Sequence, residues 1–151
     1  MEALEWLQSV MNGDLPPPPI VAALEMRPEE IDSGRVVFSM PAREWMCNPS
    51  GVVHGGMAAT LLDTVLSLAV VSKLPKGKTC QTVQMNLNYV RPLLPTGERV
   101  TAEGIAVHAG TTLGTAEARL HDSRGRLIAH GTATLAILDA DAALPRSLPD
   151  S

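Results

Sequence analysis

The chain has 151 residues, 45% of them hydrophobic, which suits one compact domain and argues against two. Its 12 Lys and Arg residues against 16 Asp and Glu give a formal net charge of -4, so no nucleic-acid partner is expected. The longest apolar run, 57–71, is too short for a bilayer span and is interrupted by Asp63, so no membrane partner is expected either. The start lacks the pattern of a secretion signal, which predicts a cytoplasmic protein.

Residues 1–19 are predicted to form an N-terminal helix and a proline-rich spacer. Leucine and methionine recur at helical spacing over residues 2–11, and the four consecutive prolines at 16–19 prevent the helix from continuing. Such a run is typical of a stiff connector between a helix and a sheet. A polyproline ligand for a signalling module is the alternative interpretation.

Residues 20–138 are predicted to form the main domain, with strands on both sides of one long helix in the chain. Turn-rich breaks between the later strands favour antiparallel hairpins. The predicted elements are strands at 20–27 and 35–40 joined by a turn at 29–34, an irregular loop at 41–53, a helix at 55–72, and strands at 79–90, 98–109, 112–121 and 126–138. Residues 139–151 show little apolar periodicity and are predicted to be a mobile C-terminal tail.

The segment 57–71 is apolar around most of its circumference, so a helix formed by it must be enclosed. One antiparallel sheet curling around one helix is the simplest α+β architecture for this pattern. Its polar side chains follow a single narrow stripe, formed by Thr60, Asp63, Thr64 and Ser67. In strand 82–90, strict alternation predicts a core face and a polar face. The predicted core face carries Val83, Met85, Leu87 and Tyr89, and the polar face Thr82, Gln84, Asn86 and Asn88.

His54, Gly55 and Gly56 immediately precede this apolar segment. Glycines at a helix start leave backbone N–H groups accessible to a ligand. These groups lie at the positive end of the helix dipole, where they can stabilise the negative charge that grows on a carbonyl oxygen during acyl transfer. The pattern therefore predicts an oxyanion site at the start of the helix.

Asp63 lies in the middle of the predicted apolar helix, where an unpaired carboxylate is costly to bury. It therefore needs either a water-filled pocket, which favours a functional role, or a structural network with the hydroxyls of its own stripe. On a continuous helix, nine residues separate His54 from Asp63 by roughly 13 Å and half a turn. The two cannot share a pocket within one subunit, which predicts a two-fold dimer or higher oligomer with shared sites.

The run of His54, Gly55 and Gly56 followed by Leu62-Asp63-Thr64 resembles the hotdog thioesterases of the phenylacetate-degradation and 4-hydroxybenzoyl-CoA type. Asn48 before it and Asn88-Tyr89-Val90-Arg91-Pro92 after it extend the resemblance, which covers residues 20–138. The resemblance implies a hotdog fold, in which a curved antiparallel sheet wraps one long central helix. It also implies dimers with their sheets joined edge to edge, which commonly pair into tetramers, and hydrolysis of an acyl-CoA without a cofactor. With few aromatic residues in the chain, a pocket lined by aliphatics such as Met57, Leu61 and Val83 would suit aryl or medium-chain acyl groups alike.

Site roles follow from the resemblance at matching positions. Asp63 is implied to be the general base or the nucleophile, and the Gly55 N–H the oxyanion donor. His54 and Asn48 would position the thioester or water, and Thr82 would help to orient water. The residues implied to bind substrate or CoA are Gly56, Arg91, Gly110, Thr111 and Arg126.

Several alternatives use the same residues. A non-catalytic acyl-CoA-binding hotdog module is the main one, although such a module has no need for the Asp63 carboxylate. A hotdog hydratase would arrange its catalytic His and acid differently. Cys47 near His54 could suggest a thiol nucleophile, but its neighbours supply no charge to stabilise a thiolate. The four histidines lack close ligand spacing, so no metal is expected, and both cysteines are interpreted as reduced thiols.

Overall fold

The computed structural model describes residues 2–143, which form one six-stranded antiparallel sheet with a long helix on its inner face. The helices are α1 (Ala3–Met11), α2 (Pro19–Ala23), α3 (Gly55–Val71) and α4 (Ala140–Ala143), with a single 3-10 turn at Glu44–Met46. The strands are β1 (Arg27–Asp32), β2 (Arg35–Pro41), β3 (Lys78–Tyr89), β4 (Arg99–Ala109), β5 (Leu113–His121) and β6 (Leu127–Asp139). This architecture confirms the predicted hotdog fold.

The strand order is β1-β2-β4-β5-β6-β3, so β1 and β3 are the two edge strands. All neighbouring strands pair antiparallel. Helix α3 packs against β2, β3, β4, β5 and β6, which encloses it as its composition predicted. Three of its leucines, Leu61, Leu62 and Leu66, are fully buried. Each such burial stabilises the fold by roughly 1.5–3 kcal/mol.

Helix α3 can lie close to the sheet because β4 carries Gly104 at the point of contact. A Cβ atom at this glycine would lie 2.2 Å from the carbonyl oxygen of Val65 in α3. The missing side chain therefore lets the helix backbone rest directly on the strand. This contact fixes the depth of α3, and with it the position of Asp63 two residues earlier.

The predicted boundaries of α1, α3 and β2 to β6 agree with the structure to within one or two residues. The predicted strand 20–27 is wrong, because residues 19–23 form α2 and the first strand begins at Arg27. Pro19 occupies the first helical turn of α2, where its missing N–H costs nothing. A short apolar run cannot by itself distinguish a helix from a strand. The predicted turn at 29–34 is mostly strand, with the reversal confined to Ser33 and Gly34.

The predicted alternation of β3 is interrupted by a β-bulge. Thr82 is opposite Leu135 of β6, whereas Gln84 is opposite Thr134, so Val83 is an extra residue and is 66% exposed. Because of this extra residue, the alternation of side chains between the two faces of β3 shifts by one position at the bulge. As a result, Thr82 lies on the same face as Met85 and Leu87, facing α3, and not on the opposite face as predicted.

The chain termini are only partly described. Strand β6 continues to Asp139 and is followed by α4, so residues 139–143 are structured where a mobile tail was predicted. The rest of that predicted tail, 144–151, lies outside the described residues. No helix within residues 2–143 has both the length and the apolarity needed to cross a membrane.

Candidate active site

The start of α3 is organised by the residue that precedes it. His54 is the N-cap, and its Nδ1 accepts a hydrogen bond from the Gly56 N–H at 2.8 Å. An Nδ1 that accepts places the proton of the neutral ring on Nε2, so the exposed imidazole presents a donor to solvent. The Gly56 amide is therefore occupied by the cap. Within residues 2–143 no hydrogen bond uses the Gly55 amide, which leaves it available to a ligand.

A cavity of about 300 Å³ lies beside this helix start. Three predicted site residues line it, namely Asn48, Gly55 and Arg91. The Asn48 side-chain oxygen accepts from the backbone N–H groups of Ser50 and Val52, at 3.0 and 3.3 Å. These bonds hold the loop against the cavity and direct the amide of Asn48 into a fixed orientation.

The Asp63 carboxylate is partly exposed on the third turn of α3 and not sealed in the core. Thr82 of β3 donates a hydrogen bond to its Oδ1 at 2.7 Å. The alternative of a network with the hydroxyls of its own stripe is wrong. Those hydroxyls bond to backbone carbonyls of α3 and, for Thr64, to the sulfur of Met26.

Cys80 lies next to this carboxylate on the inner face of β3. Burial, and after it the negative charge of Asp63, raise the pKa of the Cys80 thiol from 9.0 to about 11. A thiol that stays protonated at neutral pH is a poor nucleophile. The hydrogen bond from Thr82 places the Asp63 carboxylate at the inner surface of the sheet, facing β3.

Strand register separates the predicted site residues into two groups. Thr82 is opposite Leu135, which is opposite Gly114, so the Asp63 group lies at the end of the sheet that carries the β4–β5 turn. Tyr89 is opposite Ala129, near the β5–β6 turn, so the helix-start group lies at the other end. The Asp63 group consists of Asp63, Thr82, Gly110 and Thr111. The helix-start group consists of Asn48, His54, Gly55, Gly56, Arg91 and Arg126.

Arg126 in the helix-start group is engaged within its own turn. Its guanidinium Nε donates to Asp122 at 2.8 Å, and its backbone N–H donates to the same carboxylate. The side chain is exposed and lines a second small cavity, of about 220 Å³, which shares Pro92 and Leu93 with the cavity beside Gly55. Arg91 and Arg126 therefore flank one continuous stretch of surface.

A larger groove, of about 910 Å³, lies between α1, α2 and the start of β1, and it contains none of the predicted site residues. Of the two arginines that line it, Arg27 and Arg99, Arg99 is already bonded to Ser39 and to the carbonyl oxygen of Glu25. Size alone therefore does not locate the site, and the convergence of polar groups at α3 is the better guide. Within residues 2–143 no cluster of three or more His, Cys, Asp or Glu side chains could hold a metal ion.

Tyr89 is the residue that the sequence interpretation missed as part of this site. It was assigned only to the core face of β3, yet its hydroxyl donates to the Gly55 carbonyl oxygen at 2.6 Å and its ring lines the cavity. The signal available in the sequence was its place in the Asn88-Tyr89-Val90-Arg91-Pro92 run. The contact with Gly55 spans 34 positions and is not encoded in local periodicity.

A long helix wrapped by one antiparallel sheet is the hotdog fold, and here a glycine amide lies at the start of the helix and a carboxylate on its third turn. Residues 50–129 match the family model for the Thioesterase superfamily, and the chain belongs to this family. The prediction of an enzyme is confirmed at this level, because the family and its relatives identify the chain as a thioester hydrolase.

Three relatives illustrate the similarity. Human acyl-coenzyme A thioesterase 13 is 31% identical over 102 residues, which cover 67% of this chain and 71% of that protein. A putative esterase of Halobacterium salinarum is 36% identical over 103 residues, covering 65% of this chain and 66% of that protein. The crystal structure of a thioesterase family protein from Silicibacter pomeroyi is 29% identical with a TM-score of 0.78, covering 88% of this chain and 98% of that chain.

Proposed function

We propose that this protein hydrolyses the thioester of an aryl- or medium-chain acyl-CoA to the free acid and CoA. The observation that carries the proposal is the Asp63 carboxylate, which is partly exposed within a buried helix and held by the Thr82 hydroxyl. The name of the human relative, an acyl-coenzyme A thioesterase, supports CoA as the thiol.

In the proposed reaction the Gly55 N–H donates to the thioester carbonyl oxygen. Asp63 takes a proton from water as the water oxygen attacks the carbonyl carbon, and the resulting oxyanion stays bonded to Gly55. When the intermediate collapses, the C–S bond breaks and the proton held by Asp63 passes to the CoA sulfur. As a nucleophile, Asp63 would instead form a mixed anhydride that water then hydrolyses. His54 and Asn48 would position the thioester, and Thr82 would orient the carboxylate and its water.

In this proposal the Asp63 group and the helix-start group come together only when a second protomer is present. Thr82 and Tyr89 are seven positions apart on β3, or roughly 20 Å of extended strand. Strand β3 is an edge strand, so its outer edge is open to a partner. If two β3 edges pair antiparallel about a two-fold axis, the Asp63 group of each protomer meets the helix-start group of the other. This arrangement generates two equal shared sites and joins the sheets edge to edge.

The same pairing suggests how CoA is held. Arg91 and Arg126 lie on the surface next to the helix start and can contact the pyrophosphate or 3'-phosphate of CoA. The turn containing Gly110 and Thr111, at the Asp63 end of the sheet, would approach the same cleft from the partner. We further propose that two such dimers form a tetramer and that the enzyme acts in the cytoplasm.

The test is acyl-CoA hydrolysis by the purified protein, measured as release of free CoA over a panel of aromatic and straight-chain acyl groups. Asp63→Asn keeps the shape of the side chain and its hydrogen bond but removes the negative charge, and we expect kcat to fall by roughly 10² to 10⁴. The matched control is Asp32→Asn, the same substitution at an exposed position of β1. Full activity in Asp63→Asn would remove this carboxylate from the mechanism. Acyl-CoA binding by the wild type without release of CoA, across the panel, would overturn the proposal.

A further inference from the structure

The hydroxyl of Tyr89 donates a hydrogen bond to the Gly55 carbonyl oxygen at 2.6 Å. The ring also packs tightly against residue 55, because a Cβ atom on Gly55 would lie 3.2 Å from the ring carbon that bears the hydroxyl. Tyr89 therefore contacts Gly55 in two ways. Its ring packs against the α-carbon, and its hydroxyl holds the carbonyl group.

A restraint of this kind is needed because two adjacent glycines begin α3. Glycine has the largest backbone freedom of any residue, and the first turn of a helix has few backbone hydrogen bonds to hold it. The His54 cap restrains the Gly56 amide, but it makes no bond to Gly55. An oxyanion donor is effective only when its direction is fixed before the reaction begins.

We propose that Tyr89 is a positioning residue that fixes the direction of the Gly55 N–H toward the thioester carbonyl. The hydroxyl holds the carbonyl oxygen of Gly55 and the ring packs against its α-carbon, so Tyr89 restrains the backbone of a residue that lines the same cavity. Tyr89 also ends β3, the strand whose free edge would carry the partner protomer, so dimer formation would steady the same restraint.

The chemistry of the phenol suits this role. Burial raises the pKa of Tyr89 above its ordinary value of 10.0, so the hydroxyl remains a donor throughout the range in which a thioesterase acts. The side chain is still 51% exposed, so Tyr89 contributes little to the core. Removal of its hydroxyl is therefore expected to leave the fold intact.

The test is Tyr89→Phe, which removes the hydroxyl and keeps the ring. We expect kcat to fall by roughly 10-fold, a part of the 10² to 10³ that loss of an oxyanion donor costs. The KM, the Kd for a non-hydrolysable thioether analogue of acyl-CoA and the thermal midpoint of unfolding are expected to stay unchanged. If Tyr89 had only a structural role, Tyr89→Phe would lower the unfolding midpoint and would not lower kcat at an unchanged KM. Wild-type kcat in Tyr89→Phe would overturn the proposal.

A double-mutant cycle provides a second measurement. Gly55→Ala displaces the ring by the contact described above, so adding Tyr89→Phe to it should cost much less than Tyr89→Phe alone. Fully additive effects would show that the hydroxyl does not act through Gly55. The inference rests on the proposed function, so Asp63→Asn is measured in parallel. If Asp63→Asn is inactive while Tyr89→Phe is normal, only the role of Tyr89 fails. If Asp63→Asn is fully active, the role of Asp63 fails, and if the wild type binds acyl-CoA without releasing CoA, the proposed function fails.

Discussion

At the scale of single residues, the hydrogen bond from Thr82 to Asp63 makes a direct prediction. The hydroxyl orients the carboxylate, so Thr82→Val, which keeps the shape but removes the donor, should lower kcat by roughly 10-fold. Thr82→Ser retains a hydroxyl and should recover most of the rate. The matched control is Thr101→Val, at an exposed position of β4. Equal rates for Thr82→Val and the control would mean that this bond does not assist the reaction.

Cys80 gives a prediction for stability as a function of pH. Its thiol has a pKa of about 11 in the folded protein against an ordinary 9.0, so below pH 9 both states hold the proton and stability is unaffected. As the pH rises from 9 toward 11, the unfolded chain releases this proton and the folded protein retains it, so the free energy of unfolding falls. In urea titrations across this range, Cys80→Ala should lose less stability than the wild type. Equal losses in the free energy of unfolding of Cys80→Ala and the wild type would contradict the raised pKa of the Cys80 thiol.

Residue roles could be predicted from sequence where the chemistry is local. A carboxylate in an apolar helix and two glycines at a helix start are visible as patterns, so Asp63 and Gly55 could be named as candidates without coordinates. The restraint on Gly55 was not predictable, because it depends on a tyrosine 34 positions later whose periodicity indicated only core packing. The resemblance implied that Thr82 orients water, but its hydrogen bond to Asp63 was not predicted, since strict alternation placed Thr82 on the wrong face.

At the scale of secondary-structure elements, the close packing of α3 on β4 predicts a strong effect at one glycine. In Gly104→Ala the new methyl would lie 2.2 Å from the Val65 carbonyl oxygen, a backbone atom that cannot rotate away. Helix and strand must separate, and we expect a loss of about 1–3 kcal/mol or more in the free energy of unfolding, measured in urea. Thr101→Ala, at an exposed position of the same strand, should change it by less than about 0.5 kcal/mol. Similar losses in the free energy of unfolding for both variants would show that the close contact between Gly104 and Val65 does not limit stability.

Elements whose sequence pattern fits only one kind of secondary structure could be predicted. Elements whose pattern fits both a helix and a strand could not. The stretch that forms α3 is apolar around most of its circumference and needs an enclosing sheet, which the strands after it supply. In contrast, the apolar run after Pro19 fits a helix or a strand equally, and its local pattern does not decide between them. The bulge at Val83 depends on pairing with β6, which local sequence does not specify.

At the scale of the whole molecule, the Asp63 group and the helix-start group of one protomer lie at opposite ends of the sheet. The Gly55 amide and the Asp63 carboxylate belong to one helix, but about 12 Å of rise, or roughly two and a quarter turns, divide them. A single thioester carbon cannot lie within reach of both. Loss of the oligomer should therefore remove activity even though each protomer keeps its fold, because neither group alone completes the reaction.

Subunit mixing tests this shared site most directly. Asp63→Asn abolishes one group, and Gly55→Val blocks the other by placing a bulky side chain against the Tyr89 ring. Each homodimer has two defective sites, whereas a mixed dimer has one site with both defects and one with none. Random reassembly yields half mixed dimers, so roughly a quarter of wild-type activity should return. Subunit exchange is verified with two differently tagged chains. If exchange is complete and activity stays at the level of the separate variants, both groups must act within one protomer, and the edge-to-edge dimer would not be the catalytic unit.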